Sequence, residues 1–221
     1  MPTSTVEDYL KAILLAEQER PGDRVGTGQI AGRLALSPGT VTAMLKALAD
    51  GGLLDYEPYS GVTLTPAGRQ LATHVLRRHR LLELFLVEVL GLDWSEVHAE
   101  AEQLEHAVSD RLIARMDEML GSPTVDPHGD PIPTPTGVIP SSNQATLLTC
   151  ALGKPLEVAR VQDQSPDFLQ LVQRRGLRPG QSVRVLARDE AADTVELEVG
   201  DGERLSLGLR AASKILVEPQ S

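Results

Sequence analysis

The sequence predicts a mainly α-helical protein with a small all-β C-terminal domain, and three patterns lead to this fold class. Near the N-terminus, two short helical segments are joined by a tight turn and followed by a hairpin pattern, which is typical of a winged helix-turn-helix. Two long segments with apolar residues at helical spacing come next. Beyond a stretch rich in Pro and Gly, short alternating and β-branched runs predict the strands of a small barrel.

Residues 1–73 carry the winged helix-turn-helix pattern. Apolar residues at helical spacing in YLKAILLAEQE predict a first helix, which ends before Pro21. A second helix is predicted over 28–35. Ser37 as the N-cap and Pro38 at the first position then predict a third helix. The segment LLDYEPYSGVTLTPAG that follows predicts strand, turn and strand, which together form the wing.

Residues 74–140 are predicted to form a helical domain. One long helix is expected over 67–90 and a second over 94–120, with Ser95 as the cap of the second. Both helices are apolar over much of their surface, so they need a partner surface such as a second copy of the chain. The Pro- and Gly-rich stretch after them predicts an ordered loop or linker. The barrel is expected over about 147–221.

Composition excludes several classes of protein. A single cysteine, Cys150, excludes an intrachain disulfide and a cysteine-based zinc site, and it fits a reducing cytoplasm. No N-terminal apolar segment and no run of 18 apolar residues occurs, so we expect a cytoplasmic protein without a membrane span. The net charge of −10 is concentrated in residues 81–140, which hold two Lys/Arg against twelve Asp/Glu. Such a field favours a cation site in the middle of the chain.

The middle of the chain also concentrates imidazoles and carboxylates at helical spacing. These candidate metal ligands are His79, Glu83, His98, Glu102, Glu105 and His106. At 100° per residue, the last four lie within a 100° arc of one helix, and the first two are one turn apart on the preceding helix. Asp8 on the first helix could reach the same seam. Imidazole and carboxylate without thiolate suit Mn²⁺, Fe²⁺, Co²⁺, Ni²⁺ or Zn²⁺. Six ligands are more than one ion needs, which leaves room for two sites, and the alternative is a solvated helix face.

The helix-turn-helix predicts a surface for double-stranded DNA. Its second helix would lie in the major groove, with the wing and the chain before the first helix on the phosphates. The candidate contacts are Thr3, Ser4, Ser37, Pro38, Gly39, Thr40, Thr42, Ala43, Lys46, Tyr59 and Ser60. No Arg lies among them for a bidentate guanine contact, so we expect modest direct readout and some dependence on DNA shape. The domain is nearly neutral, so a dimer is needed for affinity. The alternative is a winged helix that contacts protein.

Catalytic signatures do not point to an enzyme. The chain has no His-Glu-x-x-His run, and Glu105 and His106 are adjacent, so the helix is not of the zinc-protease kind. No G-x-S-x-G, P-loop or G-x-G-x-x-G occurs either. A metallohydrolase stays an alternative, because an open coordination position and a pocket are not visible in a sequence.

Several stretches together resemble the metal-dependent repressors of the diphtheria toxin repressor type, which include manganese-responsive regulators. They are SPGTVTAMLKALADGGL, LTPAGRQLA, RRHRLLE, EVHAEAEQLEHAVSD and SPTVDPHGDPIP, and the likeness covers essentially all 221 residues. The resemblance implies a homodimer whose chains each have a winged helix, a dimerisation and metal-binding domain, and an SH3-like barrel similar to a ferrous-transport accessory domain.

The same resemblance implies two metal sites. One takes His79, Glu83 and His98, joined from the barrel by Asp163; the other takes Asp8, Glu102, Glu105 and His106. Iron-type members have Met and Cys where this chain has Asp8 and Glu102, so the likeness is to the manganese type and agrees with the preference of hard ions for carboxylates. The chain departs from the short manganese regulators at Lys11, where they carry Glu.

The function expected from these observations is a cytoplasmic DNA-binding transcriptional regulator that responds to Mn²⁺, or to Fe²⁺, and represses metal-uptake genes when metal is bound. No small organic substrate is expected. The alternative from another class is a winged-helix regulator that responds to a different effector and has a structural metal site.

Overall fold

The computed structural model describes residues 3–140 and 144–220. They divide into two compact units, one formed by Met1–His79 with Pro133–Ile139 and the other by Arg80–Ile132 with Pro140–Ser221. Helices in the first part of the chain and a six-stranded antiparallel sheet in the last part agree with the predicted fold class. Within the described residues, no helix combines the length and apolar character that crossing a bilayer requires.

The first unit is the winged helix. Its elements are α1 (Ser4–Glu19), α2 (Thr27–Leu34), α3 (Pro38–Asp50), β1 (Leu54–Glu57), β2 (Gly61–Leu64) and the start of α4 (Pro66–Glu88). The Ser37 side chain accepts a hydrogen bond from the Thr40 N–H at 3.2 Å, and Pro38 is in the first turn, as the sequence predicts. Strands β1 and β2 pair antiparallel as the wing. Val25 and Val62 exchange two backbone hydrogen bonds, which attach the wing to the chain before α2.

One apolar core joins the three helices and the wing of this unit. Its fully buried members include Leu10 on α1, Ile30 on α2, Leu45 on α3 and Val62 on β2. Burial of large aliphatic side chains stabilises a domain by about 1.5–3 kcal/mol each. Because the four elements share this core, α1 and α3 keep one mutual arrangement.

The second unit contains the rest of α4, two shorter helices and the β domain. Its other elements are α5 (Val97–Leu104), α6 (Asp110–Met119), β3 (Ala145–Thr146), β4 (Leu156–Val161), α7 (Pro166–Arg174), β5 (Ser182–Asp189), β6 (Thr194–Val199), β7 (Glu203–Gly208), α8 (Leu209–Ala212) and β8 (Ile215–Pro219). The strand order is β3-β8-β4-β5-β6-β7. Trp94 is buried in the core of this β domain, together with Leu169 of α7 and Val185 of β5.

The prediction of a single helix over 94–120 is wrong. The chain forms α5 and α6 with a turn between Glu105 and Ser109, because Ser109 accepts a hydrogen bond from the Leu112 N–H at 3.4 Å and caps a new helix. Ser95 is not the helix cap that was expected. Its N–H and hydroxyl donate to the Asp93 carboxylate at 2.8 and 2.6 Å, and α5 begins only at Val97.

Candidate metal centre and DNA-contact surface

Glu83 is the buried centre of the candidate metal site. It lies on α4 with its side chain 1% exposed, and its Oε1 is 3.0 Å from Nδ1 of His98. Nε2 of His98 is in turn 3.6 Å from Oε1 of Glu102, one turn further along α5. His79 precedes Glu83 by one turn of α4 and is also buried. Three of the predicted ligands, Glu83, His98 and Glu102, are therefore close together in the second unit.

Glu105 and His106 follow the last residue of α5. Glu105 is fully buried, keeps helical backbone angles as the C-cap, and lies with Oε1 3.3 Å from Nε2 of His106. His106 is beyond the helix, which corrects the expectation that one continuous helix presents both residues. Asp8 belongs to the first unit, where it is half-buried on α1.

Asp163, the ligand expected from the β domain, has other contacts in the structure. Its Oδ1 accepts from the Ser165 N–H at 3.0 Å, and its Oδ2 pairs with the Lys214 ammonium. Burial raises the pKa of Asp163, but hydrogen bonds from Lys214 and Ser165 outweigh it and lower the pKa to about 2. The carboxylate is therefore ionised at neutral pH, and its role as a metal ligand stays a prediction.

The structure adds two residues that sequence reasoning missed, Asp126 and His128. Both are buried in the loop before the β domain, and one ligand atom from each lies within 4.8 Å of the other and of a ligand atom of Glu83. Nδ1 of His128 is 4.0 Å from Oε2 of Glu83 and 4.0 Å from Oδ1 of Asp126. The only signal for them was DPHGDP, whose polar residues lie in a stretch interpreted as a linker.

The hydrogen bond of His128 to the Trp94 carbonyl is compatible with a cation at these residues. Its Nε2 is 2.8 Å from the backbone carbonyl of Trp94, and a carbonyl only accepts, so Nε2 carries the proton and donates. In the tautomer that has its single ring proton on Nε2, the lone pair is on Nδ1. This nitrogen is fully buried and has no hydrogen-bond partner among residues 3–140 and 144–220. A histidine that donates one N–H to a carbonyl and presents its other nitrogen is the usual state of a metal ligand.

Asp126 is in a similar position. Its Oδ1 accepts from the backbone N–H groups of His128 and Asp130 at 2.8 and 2.9 Å. Its Oδ2 is buried and lacks a hydrogen bond within the described residues. Burial, together with the negative charges of Asp130 and Glu83, holds the pKa of Asp126 well above its usual range, although Arg80 opposes the shift. A bound cation would offset this accumulation of negative charge.

The candidate DNA contacts lie on the surface of the first unit. Ser37, Pro38, Gly39, Thr40, Ala43 and Lys46 are exposed along α3, Tyr59 and Ser60 at the wing, and Thr3 and Ser4 at the start of α1. The hydroxyl of Thr42, which is half-buried, donates to the Pro38 carbonyl at 2.8 Å. The Ser37 and Thr40 hydroxyls contact each other at 2.9 Å. Tyr59 is fully exposed and has a positive φ of 68°, so its ring projects from the wing.

Comparison with known proteins identifies three matching domains along the chain. Residues 1–62 match the DNA-binding domain of the iron dependent repressors, 65–134 their metal binding and dimerisation domain, and 145–219 the FeoA domain. The iron-dependent repressor IdeR of Mycobacterium leprae is 33% identical over 97% of this chain and 96% of its own. The diphtheria toxin repressor of Corynebacterium diphtheriae is 32% identical over 84% and 85%.

Solved structures show the same likeness. A manganese-dependent transcriptional repressor in complex with manganese has a TM-score of 0.88 and 44% identity, over 97% of this chain and all of its own. The ScaR protein with bound Cd²⁺ has a TM-score of 0.80 and 35% identity, over 99% of this chain and all of its own. These matches confirm the family resemblance and the fold class predicted from the sequence. They also confirm the predicted partners, which are operator DNA and a second copy of the chain. The chain belongs to the iron-dependent repressor family of metal-dependent, DNA-binding transcriptional regulators.

Proposed function

We propose that this chain is a manganese-responsive repressor that acts in the cytoplasm on the operators of metal-uptake genes. The observation that carries the proposal is the buried carboxylate of Glu83 between two imidazoles, with Oε1 3.0 Å from His98 and Oε2 4.0 Å from His128. Imidazole and carboxylate donors without thiolate suit divalent ions from Mn²⁺ to Zn²⁺, and a set rich in carboxylates belongs to the harder end of that range. The 44% identical repressor that was solved in complex with manganese supports the same ion.

Sulfur donors from cysteine do not enter this site. Cys150 lies in the core of the β domain, and its Sγ is 3.2 Å from the Arg188 guanidinium. By the family resemblance, Asp8 and Glu102 occupy the positions at which iron-type members have Met and Cys. We therefore assign Mn²⁺ as the preferred ion, with Fe²⁺ as the second.

The proposed ligands form two groups. The first consists of His79, Glu83 and His98, extended by Asp126 and His128, with Asp163 as a further candidate. The second consists of Asp8, Glu102, Glu105 and His106. Bound at these groups, a divalent ion supplies the positive charge that lets several carboxylates lie close together. We propose that the chain divides into three domains. These are the winged helix over 1–73, the dimerisation and metal-binding domain over 74–140 and the SH3-like domain over 147–221.

Asp8 connects metal binding to DNA through the first unit. It lies on α1, and α1 shares one apolar core with the recognition helix α3. A fixed Asp8 therefore fixes α3 as well. In a homodimer this would set the distance between the two α3 helices, which must match half-sites separated by about 34 Å or a multiple of it. The proposed role is regulatory and not enzymatic, which a family of transcriptional repressors supports.

DNA binding by the metal-stripped protein tests this function. The protein would be titrated with Mn²⁺, anaerobic Fe²⁺, Zn²⁺ and Mg²⁺ at one physiological salt concentration, on a promoter fragment from a metal-uptake operon. We expect tight binding with Mn²⁺ or Fe²⁺ that is lost in Glu105→Gln. Glu100→Gln is the matched control, because Glu100 is an exposed carboxylate on the same helix. Equal binding in the presence of chelator would contradict a metal switch and indicate another effector.

A further inference from the structure

Arg80 is a buried cation on α4 that belongs to neither proposed ligand group. Its side chain is 4% exposed, and it precedes Glu83 by three residues on the same helix. An isolated buried guanidinium is costly unless its N–H groups are bound. Here all the contacts that the structure shows for it go to one loop, the segment Asp126–Pro131, which we name the 126–131 loop.

Three acceptor groups of the 126–131 loop contact the Arg80 guanidinium. Nε is 3.7 Å from Oδ2 of Asp126, Nη2 is 3.5 Å from Oδ1 of Asp130, and Nη1 donates to the backbone carbonyl of Pro131. A planar fork with five N–H groups suits such a spread of acceptors, whereas a lysine ammonium is a point charge. Arg80 therefore determines where the loop lies against α4.

The far side of the loop is held by the β domain. Asp130 pairs with Arg160 of β4 and accepts from the Gln164 amide, and the His128 carbonyl accepts from the Val161 N–H at 2.9 Å. Inside the loop, the Asp126 carboxylate accepts two backbone N–H groups, so its orientation follows that of the loop. Whatever holds the loop thus also holds the ligand atoms of Asp126 and His128 near Glu83.

We propose that Arg80 is a positioning residue, which keeps Asp126 and His128 in place for the metal ion without contacting the ion. The inference rests on the proposed ligand role of Glu83, Asp126 and His128. Loss of Arg80 lowers the fraction of molecules whose loop is competent to bind, and the apparent affinity falls in proportion. Residues that orient metal ligands typically change metal affinity by about 10- to 100-fold when they are replaced.

The test is calorimetric titration of the full-length, metal-stripped protein with Mn²⁺ alone. It is made in the His106→Ala background, which isolates the Glu83 group from the second group. Arg80→Met, Arg80→Lys and His128→Gln are compared with Arg111→Met, which removes an exposed arginine of the same unit. His128→Gln keeps an amide donor for the Trp94 carbonyl but loses the Nδ1 lone pair.

We expect both Arg80 variants to bind as many Mn²⁺ ions as the background protein, about 10- to 100-fold more weakly, with Arg111→Met unchanged. Unaltered Mn²⁺ affinity in Arg80→Met, together with a lowered melting temperature, would overturn the inference and leave Arg80 a purely structural residue. Full affinity in Arg80→Lys would overturn it too, since a point charge would then suffice. If Arg80→Met does not fold, the Mn²⁺ affinities of Arg80→Lys and Asp130→Asn are compared with that of the background protein in its place, and unaltered affinity again overturns the inference. Unchanged affinity and stoichiometry in His128→Gln would instead refute the ligand assignment itself.

Discussion

A substitution at Gly129 tests whether the 126–131 loop is packed tightly against β4. The φ of Gly129 is +84°, in the left-handed region that favours glycine. A Cβ added there would lie 2.0 Å from the Ala159 carbonyl oxygen and 2.8 Å from Cα of Arg160. Both contacts are with the backbone of β4, which cannot give way as a flexible side chain does. Gly129→Ala therefore requires the loop to move away from the strand.

The cost can be worked from the contacts that such a movement breaks. The left-handed conformation alone costs an alanine about 1–2 kcal/mol. Moving the loop also loses the hydrogen bond from the Val161 N–H to the His128 carbonyl, worth about 1 kcal/mol. The pair between buried Asp130 and partly exposed Arg160 contributes about 1.5–3 kcal/mol as a charge-assisted contact. We expect Gly129→Ala to be destabilised by about 2–4 kcal/mol beyond the backbone cost.

Gly153→Ala is the matched control. Gly153 has a similar φ of +70° in the same unit, but a Cβ there would meet nothing within 4 Å. It carries the backbone cost alone, so the difference between the two variants isolates the clash with β4.

Thermal and urea unfolding followed by tryptophan fluorescence measure this difference. Trp94 is the single tryptophan of the chain, and its ring stacks on His128 at a centroid distance of 5.4 Å, so its emission reports on the loop directly. An excess of 2–4 kcal/mol corresponds to a melting temperature on the order of 10 °C below that of the control. Equal destabilisation of the two variants would refute the argument that the loop is docked tightly on β4.

Three further expectations concern the cap of the recognition helix, metal selectivity and alkaline pH. Ser37→Ala removes the acceptor for the Thr40 N–H and should cost about 1 kcal/mol in urea unfolding; DNA affinity measured by fluorescence anisotropy should fall as well, and unaltered affinity would remove Ser37 from the DNA surface. Glu102→Cys should shift preference from Mn²⁺ toward Fe²⁺ or Co²⁺ in competition titrations, and an unchanged preference would count against the hard-ligand argument. Burial raises the pKa of the Cys150 thiol, and Arg188 opposes this shift. The stability that the buried thiol contributes is therefore complete below the ordinary thiol pKa of about 8.5, and it declines as the pH rises above that value. Between pH 8 and pH 10, wild-type protein should therefore lose more stability than Cys150→Ala, and parallel stability–pH curves would contradict this.

Local signals in the sequence were sufficient for the winged helix. Ser37 and Pro38 specify the start of α3 through a side-chain cap and a preset φ, and both effects act within one helical turn. The spacing of His98 and Glu102 placed both on one face of α5 for the same reason. Predictions of this kind need no knowledge of what the segment packs against.

The errors arose where a local signal was weak or where distant parts of the chain decide the structure. Apolar residues continue at helical spacing through 94–120, so periodicity gave no sign that the helix breaks after Glu105. Ser109 is a weak signal by itself, because serine also occurs inside helices. Asp126 and His128 were missed because their partners are about 30 to 45 positions earlier in the chain, at Trp94 and Glu83. No periodicity in the loop could indicate those contacts.

The buried polar groups of the 126–131 loop have a single physical explanation. A buried polar network stabilises a fold only when its members are satisfied, because each unsatisfied group keeps its cost of leaving water. The Gln164 amide donates to the Asp130 carboxylate, Arg80 and Arg160 form ion pairs with it, and the Trp94 carbonyl accepts from one nitrogen of His128. Nδ1 of His128 and Oδ2 of Asp126 have no hydrogen bond within the described residues, and both residues lie beside the Glu83 carboxylate. A site composed of lone pairs is completed by a cation and not by a hydrogen-bond acceptor, and Trp94 then links its occupancy to the core of the β domain.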